Sequence, residues 1–153
     1  MEERSMKERS IEVNRNNPFV QLLGVEIVEV SPDRSRLRLE LRPEFLNPHG
    51  LVHGGALFTL ADNAAGCAAS TDGRVYVTQE SDIHFLCAQS SGAVTAEARV
   101  IHRGRSTVLA EVSLTDEEGR LLAAASFTYF CVDGSGIARS SPTRAAALEK
   151  DRP

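Results

Sequence analysis

Only one stretch of this chain is patterned for a long helix, and the segments around it are patterned mainly for strands. Residues 54–70 run Gly-Gly-Ala-Leu-Phe-Thr-Leu-Ala-Asp-Asn-Ala-Ala-Gly-Cys-Ala-Ala-Ser. Before them, Val25 to Val30 reads as a strand and Ser31-Pro32-Asp33-Arg34 as a turn. Leu37, Leu39 and Leu41 then alternate with Arg36, Arg38, Glu40 and Arg42, the period-2 signature of a half-buried strand. After the helix, Val75, Val77, Ile83, Phe85 and Cys87 mark one long strand. Two more alternate over 94–102 and 108–114, and Asp116-Glu117-Glu118-Gly119 turns into a last strand, Leu121 to Val132. That last strand is apolar on both faces, which predicts an interior position in the sheet. A sheet of this size has an apolar face to cover, and one helix must cover it. The expected architecture is therefore α+β: a curved antiparallel sheet of about five to six strands around one long central helix. Small residues keep that helix thin. Gly66, costing about 1 kcal/mol of helix propensity, suggests that another backbone approaches closely there.

The flanks read differently. Residues 1–16 are polar and expected to be flexible or weakly helical, Phe19 to Leu23 is a short helix ended by Gly24, and 134–153 reads as a flexible tail. The folded unit is expected over 17–133. A net charge of -4 argues against nucleic acid as a partner. Cys67, Cys87 and Cys131 form no C-x-x-C pair and read as buried free thiols of a reducing compartment. The charged N-terminus has no signal-peptide core, and no run approaches the ~18 apolar residues of a membrane span. A cytoplasmic protein without membrane contact is the expectation.

Chemistry concentrates at the helix entrance. The loop Asn47-Pro48-His49-Gly50-Leu51-Val52-His53 leads into Gly54 and Gly55, whose backbone N–H groups at a helix start are free to meet a partly negative oxygen. Asp62 follows eight residues after Gly54 in an otherwise apolar run, where a carboxylate is costly unless partnered or used. It reads as a general base or nucleophile. His49 and His53 are four apart, but the surrounding Pro and Gly residues oppose a helix there and no Glu follows the first His, so no metal site is expected. His53 reads as orienting the loop or the substrate. Asn47 is either a turn former or an amide that places water. His84 and His102 lie in strands and read as structural. Arg74 after Gly73, and Arg103 and Arg105 around Gly104, are candidates to hold the phosphates of a nucleotide-tailed substrate, with Ser106 beside them. No nucleophile elbow, P-loop or dinucleotide fingerprint is present.

Taken together these residues resemble the hotdog-fold acyl-CoA thioesterases of the phenylacetate-degradation (PaaI-like) group. The resemblance covers 19–132: the His-Gly-Gly…Asp spacing, Val77-Thr78-Gln79-Glu80 with Ile83-His84-Phe85-Leu86, the His102-to-Ser106 turn and the hairpin after Asp116. It implies that Asp62 activates water or attacks the thioester, that the Gly54 amide polarises its carbonyl, and that Asn47 and His53 place substrate or water. Thr78 falls where relatives have a hydroxyl residue on the partner subunit near the nucleophilic water. It implies dimers with composite sites, commonly paired into tetramers, and no cofactor beyond the CoA of the substrate. Gly54 and Asp62 lie about 12 Å apart along the helix axis at 1.5 Å per residue, which also favours a site completed by a second chain. Gly55 and Phe58 are expected at the substrate, in an apolar pocket for an aryl, arylacetyl or medium-chain acyl group. Two other functions fit the same fold: a non-catalytic acyl-CoA sensor, and a hydratase or dehydratase of acyl thioesters.

Overall fold

The computed structural model describes residues 5–132, and its first element lies in the N-terminal segment. Met6–Arg15 is a capped α-helix (α1), the helical rather than the flexible form of this segment. Ser5 and Glu8 close a capping box, the Ser5 hydroxyl accepting from the Glu8 amide and the Glu8 carboxylate accepting from the Ser5 amide. Asn14 anchors the helix from its buried side, exchanging two 3.0 Å hydrogen bonds with Asn63. Charge in this segment hid a helix that is held by two amides. The tail expected over 134–153 lies outside the described residues.

Pro18–Leu23 forms α2, with Asn17 as N-cap and Gly24 at φ 73° closing it. The long helix α3 spans Gly54–Ala69. Six strands follow the predicted order: β1 (Glu26–Ser31), β2 (Arg34–Glu40), β3 (Tyr76–Phe85), β4 (Ala93–Arg103), β5 (Thr107–Thr115) and β6 (Leu121–Cys131). They pair antiparallel in the order β1-β2-β4-β5-β6-β3, so β6 is interior, as its two apolar faces suggested, and β3 is an edge.

The rows that face α3 are narrow. Leu37, Ala96, Leu114, Ala123 and Phe85 are register partners across five strands, and Ser35, Ala98, Val112, Ala125 and Ile83 form the next row. Opposite them α3 presents Leu57, Leu60, Ala61, Ala64 and Ala68, all buried. Ser35 ties the two layers, its hydroxyl donating to the Ala64 carbonyl at 2.7 Å. The reason expected for Gly66 does not hold. The nearest atom to a Cβ placed there is the Tyr129 hydroxyl at 3.6 Å, an ordinary contact with a side chain rather than a close backbone. Nor are the three thiols alike: Cys67 is buried, Cys131 is half-buried and Cys87 is exposed just past the end of β3.

The ladders shift register at four places, among them Ile27/Glu29 in β1–β2 and Leu114/Thr115 in β5–β6. The β3–β6 register shifts between Thr78 and Glu80, and the β4–β5 register shifts between Val100 and His102. The β3 bulge changes the parity of that strand, so that even-numbered Thr78 and odd-numbered Ile83 and Phe85 all lie on the helix side. Strict alternation from Ile83 would have put Val77 there instead. Val77 is exposed.

Candidate active site

Asp62 sits two turns into α3 and is neither fully buried nor solvated. Its Oδ1 accepts hydrogen bonds from the Thr78 hydroxyl at 2.7 Å and the Tyr129 hydroxyl at 2.8 Å. The Tyr129 hydroxyl is also 2.6 Å from the Asp62 carbonyl. Thr78 and Tyr129 are cross-strand register partners on β3 and β6, so the sheet presents both hydroxyls to the helix from one place. Oδ2 has no partner among the described residues. One carboxylate oxygen is anchored and the other is open.

Sequence reasoning does not single out Tyr129. The available signal is a tyrosine at an inward position of an apolar strand, because a buried phenol needs a partner. Burial pushes its hydroxyl well above the ordinary tyrosine range, and the Asp62 charge and the hydrogen bond to it add to that. It therefore stays protonated and remains a donor to Asp62 at any working pH. Thr78 meets Asp62 within its own chain.

The helix entrance is built by its own loop. Asn47 is a turn former, its Oδ1 accepting from the amides of His49 at 2.9 Å and Leu51 at 3.2 Å. His53 is the N-cap of α3, and its Nδ1 accepts from the Gly55 amide at 2.8 Å. The amides of Ala56 and Leu57 turn back to the His53 carbonyl. Gly55 is thus consumed by the cap, whereas the Gly54 amide donates to nothing among the described residues. Gly54 must also be small on one side: a Cβ there would lie 3.1 Å from Cζ of the Phe85 ring. The loop therefore leaves one free donor at the positive end of a sixteen-residue helix.

Residues 49–123 match the family model of the thioesterase superfamily. A 1,4-dihydroxy-2-naphthoyl-CoA hydrolase from Listeria monocytogenes is 35% identical over 105 residues, covering 67% of this chain and 85% of that protein. The chain belongs to the hotdog-fold thioesterases. A hypothetical thioesterase of Streptococcus pneumoniae, solved with coenzyme A, is 30% identical with a TM-score of 0.72, covering 77% of this chain and 95% of that one. That protein has also been solved with an aspartate and with a threonine replaced by alanine, at positions sixteen residues apart. The Escherichia coli PaaI structure, 23% identical over 83% of this chain and 96% of its own, shares the fold with a TM-score of 0.77. A PaaI protein of Thermus thermophilus is 30% identical over 74% of this chain and 97% of its own, with a TM-score of 0.70, and the chain is accordingly a thioester hydrolase of the PaaI-like group.

In this thioesterase the arginines named from the sequence have structural employment. Arg103 donates to Asp33 at 2.6 Å, to Asp72 at 2.7 Å and to the carbonyls of Ala69 at 2.8 Å and Ala68 at 3.4 Å. It pins the β1–β2 turn to the negative end of α3. Arg74 donates to Asp72 at 2.8 Å and to the Arg105 carbonyl at 2.8 Å. Both guanidinium groups are thus held by neighbouring carboxylates and carbonyls. Burial raises the Asp72 carboxyl, but bonds from the Arg74 amide and side chain and the Tyr76 hydroxyl, with the Arg103 charge, hold it at about 2. Arg105 and Ser106 are exposed at the β4–β5 turn, beside Gly104. Phe58 packs into the core against Phe127, ring centroids 5.5 Å apart, and His84 is exposed next to Asp82. Among the described residues no three His, Cys, Asp or Glu side chains gather as a metal set, and no helix is long and apolar enough to cross a membrane.

Proposed function

We propose that this enzyme hydrolyses an acyl-CoA, releasing the free acid and CoA, with Asp62 as general base or nucleophile and the Gly54 amide as the donor to the thioester carbonyl. The observation that carries this reading is the divided carboxylate of Asp62, one oxygen held by Thr78 and Tyr129 and the other open. The sixteen-residue separation of Asp62 and Thr78 equals that of the aspartate and threonine replaced in the streptococcal thioesterase. In the general-base route, Oδ2 takes a proton from water as its oxygen bonds to the thioester carbon. Negative charge that develops on the carbonyl oxygen is met by the Gly54 amide. The carbon–sulfur bond then breaks, and the thiolate of CoA leaves and takes up a proton. As a nucleophile, Oδ2 would instead form an anhydride that water opens.

The axial distance of about 12 Å between Gly54 and Asp62 is too long for both to act on one carbonyl. The working unit is therefore a homodimer in which Asp62 of one chain meets Gly54 of the other, with pairing into a tetramer as the expected assembly. His53 holds the loop that aims the amide, and Asn47 shapes it. Arg105, Ser106 and Gly104 are the exposed remainder of the proposed CoA phosphate contact. No cofactor beyond the CoA of the substrate is needed, and the site of action is the cytoplasm. The candidate acyl groups are aryl, arylacetyl and medium-chain.

Free-thiol release from a panel of acyl-CoAs, with Asp62→Asn and Asp62→Ala alongside, tests the reading. Turnover lost in both folded variants supports it, and turnover kept in Asp62→Ala refutes it. Binding of CoA thioesters without hydrolysis would move the function to a sensor, and water addition to an enoyl thioester without thiol release to a hydratase.

A further inference from the structure

The N-cap of α3 is made with an uncommon atom. Ser, Thr, Asp and Asn serve best at that position, each through an oxygen that remains an acceptor at neutral pH. Here the acceptor is Nδ1 of an exposed imidazole, 2.8 Å from the Gly55 amide. A ring nitrogen accepts only while it carries no proton, so the cap requires the neutral His53 ring with its proton on Nε2. Gly55 is small to suit that ring, since a Cβ there would lie 3.1 Å from Nδ1 and 3.5 Å from Cε1. The His53 backbone is held separately, its amide donating to the Phe45 carbonyl at 2.7 Å and its carbonyl accepting from the Ala56 amide at 3.0 Å. Loss of the ring bond is therefore felt first in the opening turn of α3, where two adjacent glycines offer the least resistance to fraying.

From these observations we infer that His53 is a pH switch on the carbonyl donor: protonation of its ring opens the N-cap of α3, and the first turn that carries the Gly54 amide frays. The effect on turnover rests on the thioesterase reading above. A protonated ring has an N–H at both nitrogens, so Nδ1–H would meet the Gly55 N–H donor against donor. It would also place a positive charge at the positive end of a sixteen-residue helix. Both effects turn the ring away from the cap. Few charged groups face it. Arg42 and Glu44, in and before the 3-10 turn Pro43–Phe45, line a groove together with His53. To that groove α2 brings only Phe19, Leu22 and Leu23, and α3 only Gly55, Ala56 and Thr59. β3 contributes the Phe85 ring beside Gly54, and the segment after β3 meets the loop through Gln89, whose carbonyl accepts from the Val52 amide. In the proposed dimer, Asp62 of the second chain also comes to Gly54. Arg42 is tied to the Leu22 carbonyl at 2.6 Å, which leaves Glu44 as the carboxylate of the groove to which a released, protonated ring can turn. Asp62 must be ionised as well, so an acid limb in the rate does not by itself identify His53. A cap that cannot titrate does.

The experiment follows the isotope-labelled full chain by NMR from about pH 8 to about pH 5, the range in which imidazoles titrate. The Gly55 amide resonance should move in step with the His53 ring, and its hydrogen exchange should gain protection when the ring is neutral. A Gly55 amide that holds its position while the ring titrates overturns the inference without reference to activity. In His53→Asn, whose side-chain oxygen caps without titrating, the Gly55 resonance should stay in place across the window. Thiol release is then measured over the same window, each protein normalised to its own maximum. Wild-type kcat should fall about tenfold further than that of His53→Asn, the size of effect a lost cap can have. Equal falls in the two proteins would assign the acid limb to Asp62 and overturn the link between cap and rate. Circular dichroism at both ends of the window checks that each protein stays folded. Absence of hydrolysis in the wild type at every pH overturns the thioesterase reading, and the Gly55 titration still decides the cap.

Discussion

Replacing Gly54 by proline removes one hydrogen-bond donor and little else. Gly54 is the first residue of α3, the position where a missing N–H costs the helix nothing and a fixed φ suits it. The preceding residue is also ready for proline, since His53 already has φ −69° and ψ 135°. No hydrogen bond among the described residues is broken by the change. The one steric cost is the new Cβ, which meets Cζ of Phe85 at 3.1 Å, so the half-exposed ring must yield by a few tenths of an ångström. Gly54→Ala carries that same Cβ and keeps the amide. The difference between the two variants therefore isolates the donor. Loss of one preorganised donor to a developing oxyanion costs about 10²–10³ in kcat, or about 2.7–4 kcal/mol of transition-state stabilisation. Thiol release at saturating acyl-CoA should show Gly54→Pro slower than Gly54→Ala by that factor, with similar circular dichroism and thermal midpoints. Equal rates in two folded variants would show that the Gly54 amide does not hold the carbonyl.

Tyr129→Phe should lower kcat about 10–10²-fold with little change in KM, because Asp62 loses one of its two anchors and drifts from its aim. Combining it with Thr78→Val should cost more than the product of the single losses, since both hydroxyls hold the same Oδ1; a strictly additive double variant would refute the shared-anchor reading. Arg103→Met should destabilise the fold by about 2–3 kcal/mol in urea unfolding, as Asp33 and Asp72 lose their partner. If stability is unchanged and KM for the CoA thioester rises instead, the phosphate role returns to Arg103. Asp72 has a native pKa of about 2, below its unfolded value of 3.8, so the unfolded chain binds more protons and stability falls as pH drops from about 4 through about 2. Thermal midpoints across that window should fall less steeply in Asp72→Asn than in the wild type, and parallel curves would contradict the assignment.

The architecture was legible because its determinants are local and periodic. Alternating Leu37, Leu39 and Leu41 can bury one side only as a strand, and the Ala-rich run from Gly54 can cover a sheet only as a helix. The helix entrance was legible for a similar reason: His53, Gly54 and Gly55 are adjacent, so cap and donor are read from neighbours. Asp62 announced itself as a charge among apolar residues. What holds Asp62 did not, because Thr78 and Tyr129 lie 16 and 67 positions away and meet only through the β3–β6 register. A bulge at Gln79 decided that Thr78 points inward, and a one-residue parity change leaves no mark in hydrophobic alternation. The ion pair of Arg103 is illegible for the same reason, since its partner Asp33 is 70 residues distant. The polar start of the chain hid α1, whose anchor is an Asn14–Asn63 pair rather than an apolar stripe. Sequence alone determined the strands, the long helix, their order and the candidate pair Gly54 and Asp62, through propensity and periodicity. Tertiary structure alone decided which hydroxyls aim the carboxylate, which arginines are spent and which amide stays free, because each is a contact set by register and packing between segments far apart in the chain.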